Sequence, residues 1–478
     1  MKLLVGTLGD LGLYREAEYT YSEKIAKAKG SLFALCKILN PHHVILLIPD
    51  SLVVNIGEGT MSWSSYSDLT SFLKSRYEGT LREDPLFLKD FSGNLYLWAM
   101  PSVGEFKSQK TGVTGSFKGN LMDYYYKLFF KAADFLIEHV IKNDSVEELE
   151  VYIDISLGLN YTNLLTFRVF RELIRYLTLR CPASLFVLNA DPVVTGVIPS
   201  NIDFHHVFDG EKISTSFNFE NIVPDYNNPF PTRVYDSQDI ELSKENSNRF
   251  KSWRSYHGRD IKDLYIHDVL CFLSSVKNSI PLGIYHFFPS TGDIQNLLKD
   301  SMNWFMSNVR IESVSESKVQ VRRALCLSPY FRAFCLSYFI SEIFQKLGII
   351  KSSEVSFECI SNIADLLYGR LKIFRDRIKE EISNLSRKCK KEEYVEWKPF
   401  QLVGSGLTKD SNTERNFFAH AGIAQNVVEL KAISGNFEEE GSTSIDSSSS
   451  VDAFKKAFHV RYRKECEKDV INMLISNL

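Results

Sequence analysis

Residues 149–161 read LEVYIDISLGLNY, a buried strand that runs directly into a loop containing serine, glycine and asparagine. Residues 149–155 are mostly apolar, as in a strand that is covered on both faces of a sheet. The periodic segment 162–178 then predicts a helix. A buried strand, a short loop and a helix form the repeating unit of a parallel sheet, so this stretch predicts an α/β fold.

The same alternation extends over roughly the first 200 residues. Short apolar segments predict strands and amphipathic segments predict helices, in the order strand 2–7, helix 31–39, strand 43–48, strand 95–99, helix 123–141 and, beyond residue 178, strand 183–189. We therefore predict a doubly wound, mainly parallel α/β domain over residues 1–209. Ligands of such sheets bind outside the carboxyl ends of the strands.

The rest of the chain predicts a linker followed by an all-α domain. Asn, Ser, Asp and Pro are frequent over residues 210–260, which we interpret as a linker or small insertion. Helix-period apolar positions then predict a helical domain over residues 261–478, with helices at 261–275, 291–306, 328–347, 356–387, 416–429 and 451–478. The acidic, Ser-rich residues 435–450 are interpreted as a mobile surface loop.

Composition limits the classes of protein that fit this chain. Its 478 residues are 44% hydrophobic, and a net charge of -3 argues against a protein covered with basic surface. Any contact with nucleic acid must therefore be local. The eight cysteines show neither a CxxC nor zinc-ligand spacing, so we expect reduced thiols and no metal site. No segment approaches the ~20 apolar residues of a membrane span, and the amino-terminal segment reads as a strand; a soluble cytoplasmic protein is expected.

The C-terminal segment 414–420, ERNFFAH, carries the residue types needed to cut RNA without a metal. Arg415 offers a permanent fork of donors to a phosphate, and His420 can transfer a proton near neutral pH. Asn416 can hold the ribose, the phosphate or the imidazole. Positions five apart on a helix differ by ~140° in azimuth, so Arg415 and His420 converge only at a helix start or a helix–helix seam. Alternatively, His420 merely bonds a carbonyl.

Basic residues are frequent nearby, at 370–391 and 461–464. They are interpreted either as a solvated helix face or as an RNA-binding rim, with Tyr394 and Trp397 available for base stacking.

Two loops at the carboxyl ends of predicted strands are candidates for phosphate binding. The first contributes Gly6, Thr7, Leu8 and Gly9, and the second contributes Asp154, Ser156, Gly158, Asn160 and Tyr161. Glycine lets backbone N–H groups approach a phosphate, and the N-terminus of a following helix favours the anion. Neither loop contains a GxGxxG or Walker A sequence. The alternative interpretation is a pair of simple turns.

Both halves together resemble the CARF–HEPN ribonucleases associated with type III CRISPR systems. Arg415, Asn416 and His420 fit the HEPN pattern of Arg, a polar residue, three to five others and His. The second loop of Rossmann-like CARF sensor domains commonly reads Asp-x-Thr-His-Gly-x-Asn-Tyr. Here residues 154–161 match or nearly match it, except that Leu157 replaces the His. That replacement weakens any expectation that the domain cleaves its own ligand.

The resemblance implies an antiviral endoribonuclease that cuts single-stranded RNA by attack of the 2′-hydroxyl, without a metal. It implies that Arg415, Asn416 and His420 are catalytic, and that the two loops bind an allosteric activator. That activator would be a cyclic oligoadenylate, often the tetramer, made by a type III CRISPR complex. It further implies a homodimer or a multiple of dimers, because two HEPN motifs face each other across a seam. No cofactor or membrane is implied.

Two other classes of function stay open at this point. A non-catalytic regulator could sense a nucleotide and bind RNA or a partner protein, without cutting RNA. A hydrolase centred on the N-terminal domain is disfavoured because the sequence has no GxSxG.

Overall fold

The computed structural model describes residues 1–56, 63–191, 201–210, 213–217, 219, 228–235, 239–315, 318–389, 393–400, 413–424, 427–433 and 447–478. Residue contacts divide the chain into two compact units. Unit 1 comprises Met1–Ser216, Phe230–Phe250 and Gln295–Cys335, and unit 2 comprises Phe217–Pro229, Lys251–Ile294 and Leu336–Leu478. Residues 295–335, which the sequence assigns to the helical domain, therefore belong to the α/β unit. The domain boundaries at 209 and 260 stay a prediction.

The strands of unit 1 alternate with helices, as the apolar pattern predicts. In chain order they are β1 (Lys2–Thr7), β2 (Ala17–Tyr21), β3 (Lys24–Ala28), β4 (His43–Pro49), β5 (Asn94–Met100), β6 (Gly104–Lys107), β7 (Thr114–Lys118), β8 (Leu149–Asp154), β9 (Ala183–Ala190), β10 (Ile202–Gly210), β11 (Thr232–Val234), β12 (Val309–Ser315), β13 (Lys318–Arg323) and β14 (Leu325–Leu327). The helices wholly within unit 1 are Ser31–Leu39, Tyr66–Glu83, Met122–Leu136 with its π-helical continuation Ile137–Ile141, and Asn160–Leu177. Three further helices have residues in both units: Ile240–His257, Thr291–Ser307 and Pro329–Lys346.

Five parallel strands form the centre of the main sheet, in the order β5-β4-β1-β8-β9. Every residue of β4 is buried, which explains its unbroken apolar run. Strand order reverses between β1 and β8, so these two strands flank the switch point where ligands bind. β10 joins β9 antiparallel, and β2 and β3 complete the eight-stranded sheet. The predicted mainly parallel α/β domain is confirmed.

The structure adds a second sheet that the sequence analysis misses. Its order is β12-β13-β7-β6, with β13 parallel to β7. The alternating apolar side chains of β12 and β13 pack against Val53 and Phe117 in one small core. That alternation is a strand signal, but nothing local indicates a partner about 200 residues earlier in the chain.

Unit 2 is helical with one small sheet. Its helices are Ile261–Asp263, continued by the π-helix Leu264–Leu270 and by Cys271–Lys277, then Pro281–His286, Phe357–Tyr368, Lys372–Lys388, Thr413–Ala419, Ser447–Ala457 and Glu467–Ser476. The strands β15 (Val355–Ser356), β16 (Lys398–Pro399), β17 (Val428–Ala432) and β18 (Phe458–Tyr462) pair antiparallel in the order β15-β18-β17-β16. None of the described helices is long and apolar enough to cross a membrane.

Several predicted helices are wrong in extent. The helix predicted over 356–387 is two helices, separated at residues 369–371. The helix predicted over 416–429 begins at Thr413 and ends at Ala419, because Ala421 and Gly422 adopt left-handed backbone with φ 49° and 78°. The helix predicted over 451–478 is a helix, a strand and a second helix.

The predicted linker and loop also need correction. Most of residues 240–260 form the helix Ile240–His257, so the segment 210–260 is not a linker throughout. Residues 447–450 of the predicted Ser-rich loop are helical, and residues 435–446 lie outside the described residues.

A buried ion pair holds the second sheet to the carboxyl end of the main sheet. Arg323 ends β13, Asp50 follows β4, and their side chains are 1% and 0% exposed. Tyr66 Oη donates to Asp50 Oδ2 at 2.6 Å, and the Ser102 N–H donates to Asp50 Oδ1 at 2.8 Å. Arg323 also donates to the Ser102 carbonyl at 2.9 Å. This geometry satisfies both oxygens of a carboxylate that is out of contact with water.

We expect Asp50→Asn to lower the free energy of unfolding of unit 1 by about 3–5 kcal/mol, because Arg323 is left as a buried charge without its counterion. The control is Arg82→Gln, which breaks an exposed pair with Glu78 and should change it by less than about 1 kcal/mol. Denaturant titrations followed by circular dichroism measure both. Equal effects of the two substitutions would show that the buried pair contributes no more to the free energy of unfolding than the exposed pair does.

Candidate functional site

The loops after β1 and β8 touch at the switch point. Gly158 has φ +107°, and a Cβ placed on it would lie 2.9 Å from Thr7 Cβ and 2.9 Å from Thr162 Oγ1. Only glycine fits this approach without displacing a neighbour. Gly6 is equally close-packed, since a Cβ there would lie 2.6 Å from Leu32 Cδ1. The structure therefore brings the two sequence-predicted loops together.

Asp154 lies beneath the second loop rather than on its surface. Its side chain accepts hydrogen bonds from Ser31 Oγ at 2.7 Å, Ser156 N at 3.0 Å and Ser156 Oγ at 2.5 Å. Ser156 Oγ in turn accepts from the Ala190 N–H at 2.7 Å. Burial raises the pKa of Asp154, and the bonds from Ser156 and Ser31 act against that rise. The side-chain oxygens of Asp154 and Ser156 are thus occupied by hydrogen bonds within the protein.

The exposed part of the second loop leads into the helix Asn160–Leu177. Gly158 and Asn160 are exposed, and no side chain caps the first turn of this helix. The leading N–H groups of a helix carry partial positive charge and favour an anion. Asn163, which the sequence analysis misses, donates from Nδ2 to the Ile155 carbonyl at 2.8 Å. Tyr161 packs edge-on against Tyr124, with ring centroids 6.0 Å apart.

The first loop is held in place by the buried side chain of Leu8 and by hydrogen bonds with two tyrosines. Leu8 is buried at 1% exposure, and its N–H donates to the Leu47 carbonyl at 2.9 Å, so its side chain belongs to the core. The Gly9 N–H donates to Tyr14 Oη at 2.8 Å, and Tyr77 Oη donates to the Gly9 carbonyl at 3.2 Å. These two tyrosines were not identified from the sequence. Their hydrogen bonds to Gly9 fix the position of the first loop beside the switch point.

The segment ERNFFAH forms a short helix in unit 2. Phe417 is fully buried, whereas Arg415, Asn416 and His420 are exposed. Glu414 anchors the helix start, accepting from Asn477 Nδ2 at 2.6 Å and from Ser476 Oγ at 3.0 Å. No hydrogen bond joins Arg415 to His420 within the described part of this chain.

A tight reversal follows the helix and places His420 at its end. The Gly422 N–H donates to the Phe417 carbonyl at 2.8 Å. A Cβ on Gly422 would lie 2.4 Å from Ile280 Cγ2, so glycine is required both by the backbone angle and by the neighbour.

A second helix supplies the partner of His420. Glu381, on Lys372–Lys388, lies 2.9 Å from His420 through Oε2 and Nδ1. The Glu381 side chain is 14% exposed and that of His420 is 48% exposed. The hydrogen bond raises the pKa of His420, although partial burial and Lys388 oppose the rise. Glu381 could not be identified from the sequence, because it is 39 residues from His420 and lies among basic residues.

The proposed RNA-binding rim is only partly available. Arg377 donates to the carbonyls of Asn278 and Ser279, and Lys379 pairs with Asp365. Tyr394 and Trp397, which the sequence offers for base stacking, are also covered by other parts of the protein. Tyr394 is only 6% exposed, and the guanidinium of Arg461 covers the ring of Trp397, 4.1 Å from its centroid. Tyr394 as a base-stacking residue is therefore wrong.

We expect Glu381→Gln to lower the pKa of His420, because the neutral amide does not favour the imidazolium. The raised pKa means that this contact stabilises the fold below the ordinary histidine pKa of about 6.5, and that the stabilisation is lost as the pH rises through the folded-state value. A pH titration of His420 by NMR with labelled histidine measures the change. Glu380→Gln, on the exposed neighbouring residue, is the control. An unchanged pKa in Glu381→Gln would contradict the assignment.

Two family models match this chain, and each covers one of the two candidate sites. The family model described as CRISPR system endoribonuclease Csx1, CARF domain, matches residues 3–192. The model described as CRISPR system endoribonuclease Csx1, HEPN domain, matches residues 371–437. The first range contains both loops at the switch point, and the second contains Glu381 and the segment 414–420.

One curated relative aligns over most of the chain. It is the CRISPR system endoribonuclease Csx1 of Methanocaldococcus jannaschii, which is 27% identical over 439 residues, or 90% of this chain and 86% of the relative.

Two solved structures have weaker likeness. Csm6 of Enterococcus italicus bound to cyclic hexa-2′-fluoro-hexa-dAMP is 10% identical, with a TM-score of 0.25 and full coverage of both chains. Protein VC1899 of Vibrio cholerae is 12% identical, with a TM-score of 0.19 over 72% of this chain and 66% of that one. Scores this low do not establish a shared fold. The two domain matches and the relative that spans them carry the assignment: this chain belongs to the CARF–HEPN endoribonucleases associated with type III CRISPR systems.

Proposed function

We propose that this endoribonuclease cleaves single-stranded RNA without a metal ion and is switched on by a cyclic oligoadenylate, the tetramer being the first candidate. The observation that carries the proposal is the exposed imidazole of His420, which lies on the same short segment as Arg415. Glu381, on a different helix, holds this imidazole by a hydrogen bond. A histidine that a carboxylate orients and that remains open to solvent is suited to proton transfer on an RNA substrate.

The proposed role of His420 follows from which of its two ring nitrogens is already hydrogen-bonded. Nδ1 of His420 bonds Glu381, which leaves Nε2 to face the substrate. In the cleavage step the ribose 2′-oxygen attacks the adjacent phosphorus and the 5′-oxygen leaves. His420 either takes the proton from the 2′-hydroxyl or gives one to the leaving oxygen. Arg415 stabilises the charge that grows on the phosphate oxygens, and Asn416 orients the ribose or the phosphate. Glu381 acts as a positioning residue.

A second copy of the chain would complete the site. One Arg–His pair supplies one charge fork and one proton-transfer group, whereas the reaction uses both a base and an acid. Two motifs facing each other in a homodimer supply both. The apolar side chains of Ile373 and Leu366 are 84% and 44% exposed on the helices of unit 2, and such side chains are suited to burial in a dimer.

The activator would bind at the loops after β1 and β8. Gly158, Asn160 and the first turn of the following helix offer backbone N–H groups to phosphates, and Gly6, Thr7, Gly9 and Tyr161 would line the same pocket. Asp154 and Ser156 would shape the second loop, as their internal hydrogen bonds indicate. Leu8 would act through the core that supports the first loop. Activation requires the ligand to bind the active state more tightly than the inactive one.

We expect His420→Ala to lower the rate of RNA cleavage by about 10²–10⁴-fold, as is usual when a proton-transfer group is lost. His459→Gln, at a half-buried histidine of β18, is the matched control and should leave the rate unchanged. The assay uses labelled single-stranded RNA, purified protein, cyclic tetra-adenylate and EDTA. Undiminished cleavage by His420→Ala would remove His420 from the mechanism, and a strict requirement for added metal would overturn metal independence.

We expect Gly158→Val to raise the cyclic tetra-adenylate concentration for half-maximal activation at least about tenfold. Its side chain would be strained at φ +107° and would strike Thr7. Gly79→Ala is the control, because a Cβ there meets nothing within 4 Å. Activation curves, with circular dichroism spectra to check folding, measure both variants. An unshifted curve for a folded Gly158→Val protein would place the ligand elsewhere.

A further inference from the structure

Three lysines of unit 1 converge beside the edge strand β5. Lys127 and Lys131 lie one turn apart on the helix Met122–Leu136, and Lys74 comes from the helix Tyr66–Glu83. The ammonium of Lys127 lies 5.9 Å from the ring centroid of Tyr66, and that of Lys131 lies 5.2 Å from that of Trp98. β5 is two strands from β1 in the sheet.

Lys127 is the unusual member of this lysine cluster, because it is only 4% exposed. Among the described residues, its ammonium has one hydrogen-bond contact, to Met306 Sδ at 3.4 Å, which is a weak acceptor. None of the three lysines forms an ion pair with a carboxylate in the described part of the chain. A buried lysine without an anionic partner is rare, since desolvating a charge is costly.

The nearby carboxylates do not balance the cluster. Asp50 is already bound by Arg323 and Tyr66. Asp123, one turn before Lys127, is fully buried; its Oδ1 accepts from the Leu327 N–H at 2.7 Å, and burial raises its pKa to about 7. Its charge is therefore only partly present at neutral pH.

Burial and the charges of neighbouring lysines both disfavour the charged form of these ammonium groups. Burial, with a smaller contribution from the charge of Lys131, lowers the pKa of Lys127 to about 7. Burial and the charge of Lys74 lower the pKa of Lys131 to about 8. Asp134 acts in the opposite direction on Lys131 but does not pair with it. A bound anion would raise the pKa of both lysines, because a nearby negative charge favours the ammonium form.

We propose that Lys74, Lys127 and Lys131 form a binding site for a phosphate group, distinct from the activator and RNA sites. Lys127 would neutralise the phosphate from within the protein, and Lys74 and Lys131, both half-buried, would approach it from the solvent side. Ammonium groups bind phosphate as point charges and can converge on one anion from several elements. Tyr66 and Trp98 are 2% and 7% exposed and wall the lysine cluster on its inner side, so a nucleoside attached to the phosphate would extend towards solvent past Lys74 and Lys131. The group is therefore either a free phosphate ion or a nucleoside monophosphate.

The test measures the melting temperature of the full chain in inorganic phosphate, in AMP and in sodium chloride at matched ionic strength. Phosphate or AMP should raise the melting temperature by about 2–4 °C over chloride, because a ligand that binds only the folded state stabilises it. Lys127→Met keeps the length of the side chain and removes the charge, so it should abolish the increase. Lys131→Gln, at a half-buried position, should reduce it even if Lys127→Met folds poorly.

Lys142→Met is the control, because Lys142 lies in an exposed pair with Glu138 on the same stretch of chain. It should keep the full phosphate effect. Binding of AMP at least tenfold tighter than phosphate would support the nucleotide form of the proposal, and equal affinities would support the free ion. No stabilisation of the unsubstituted protein by either probe would overturn the proposal. So would an undiminished effect in Lys127→Met and Lys131→Gln.

Discussion

A buried carboxylate must be neutralised or fully hydrogen-bonded. This constraint fixes the positions of the second sheet, the loop after β8 and the imidazole of His420. Asp50 takes Arg323 as its counterion and fixes the second sheet beside the parallel one. Asp154 takes hydroxyl and amide donors and fixes the loop after β8. Glu381, at 14% exposure, takes the imidazole of His420. In each case a carboxylate that is removed from water orients the group opposite to it.

The two candidate sites use this constraint in different ways. At the loops after β1 and β8 the buried polar atoms are hydrogen-bonded within the protein, so backbone N–H groups, glycine and the start of a helix remain for a ligand. At the segment 414–420, the carboxylate of Glu381 binds one nitrogen of His420 and leaves the other exposed with Arg415. A loop built on backbone groups suits recognition of phosphates, whereas an oriented side chain suits proton transfer. This difference fits the proposed function, in which one site binds an activator and the other cleaves RNA.

The parallel sheet could be predicted from the sequence because its signals are local. The apolar runs of β1, β4 and β8 are buried on both faces, and strand, loop and helix follow one another within the segment 149–177. The segment 414–420 could likewise be recognised, since Arg415, Asn416 and His420 lie within six consecutive residues. Glycine at 158 marked the point where the two loops approach.

The errors have a common physical origin in contacts that are distant in sequence. β12 and β13 pair with β7, which lies about 200 residues earlier, and β17 pairs with β18 across an intervening helix. Helix periodicity does not report the left-handed residues that end the helix at Ala419. Glu381 gives no local signal because its hydrogen-bond partner lies 39 residues away. Burial of Lys127 is equally hidden, since its spacing on the helix is ordinary.

The most direct test of the account is the pH dependence of RNA cleavage in the presence of cyclic tetra-adenylate and EDTA, compared between the unsubstituted protein and Glu381→Gln. Because Glu381 raises the pKa of His420, the limb of the rate profile that His420 controls should move to lower pH in the variant, whether His420 acts as base or as acid. A profile that keeps its position, with cleavage still dependent on the activator, would contradict the claim that His420, positioned by Glu381, transfers the proton.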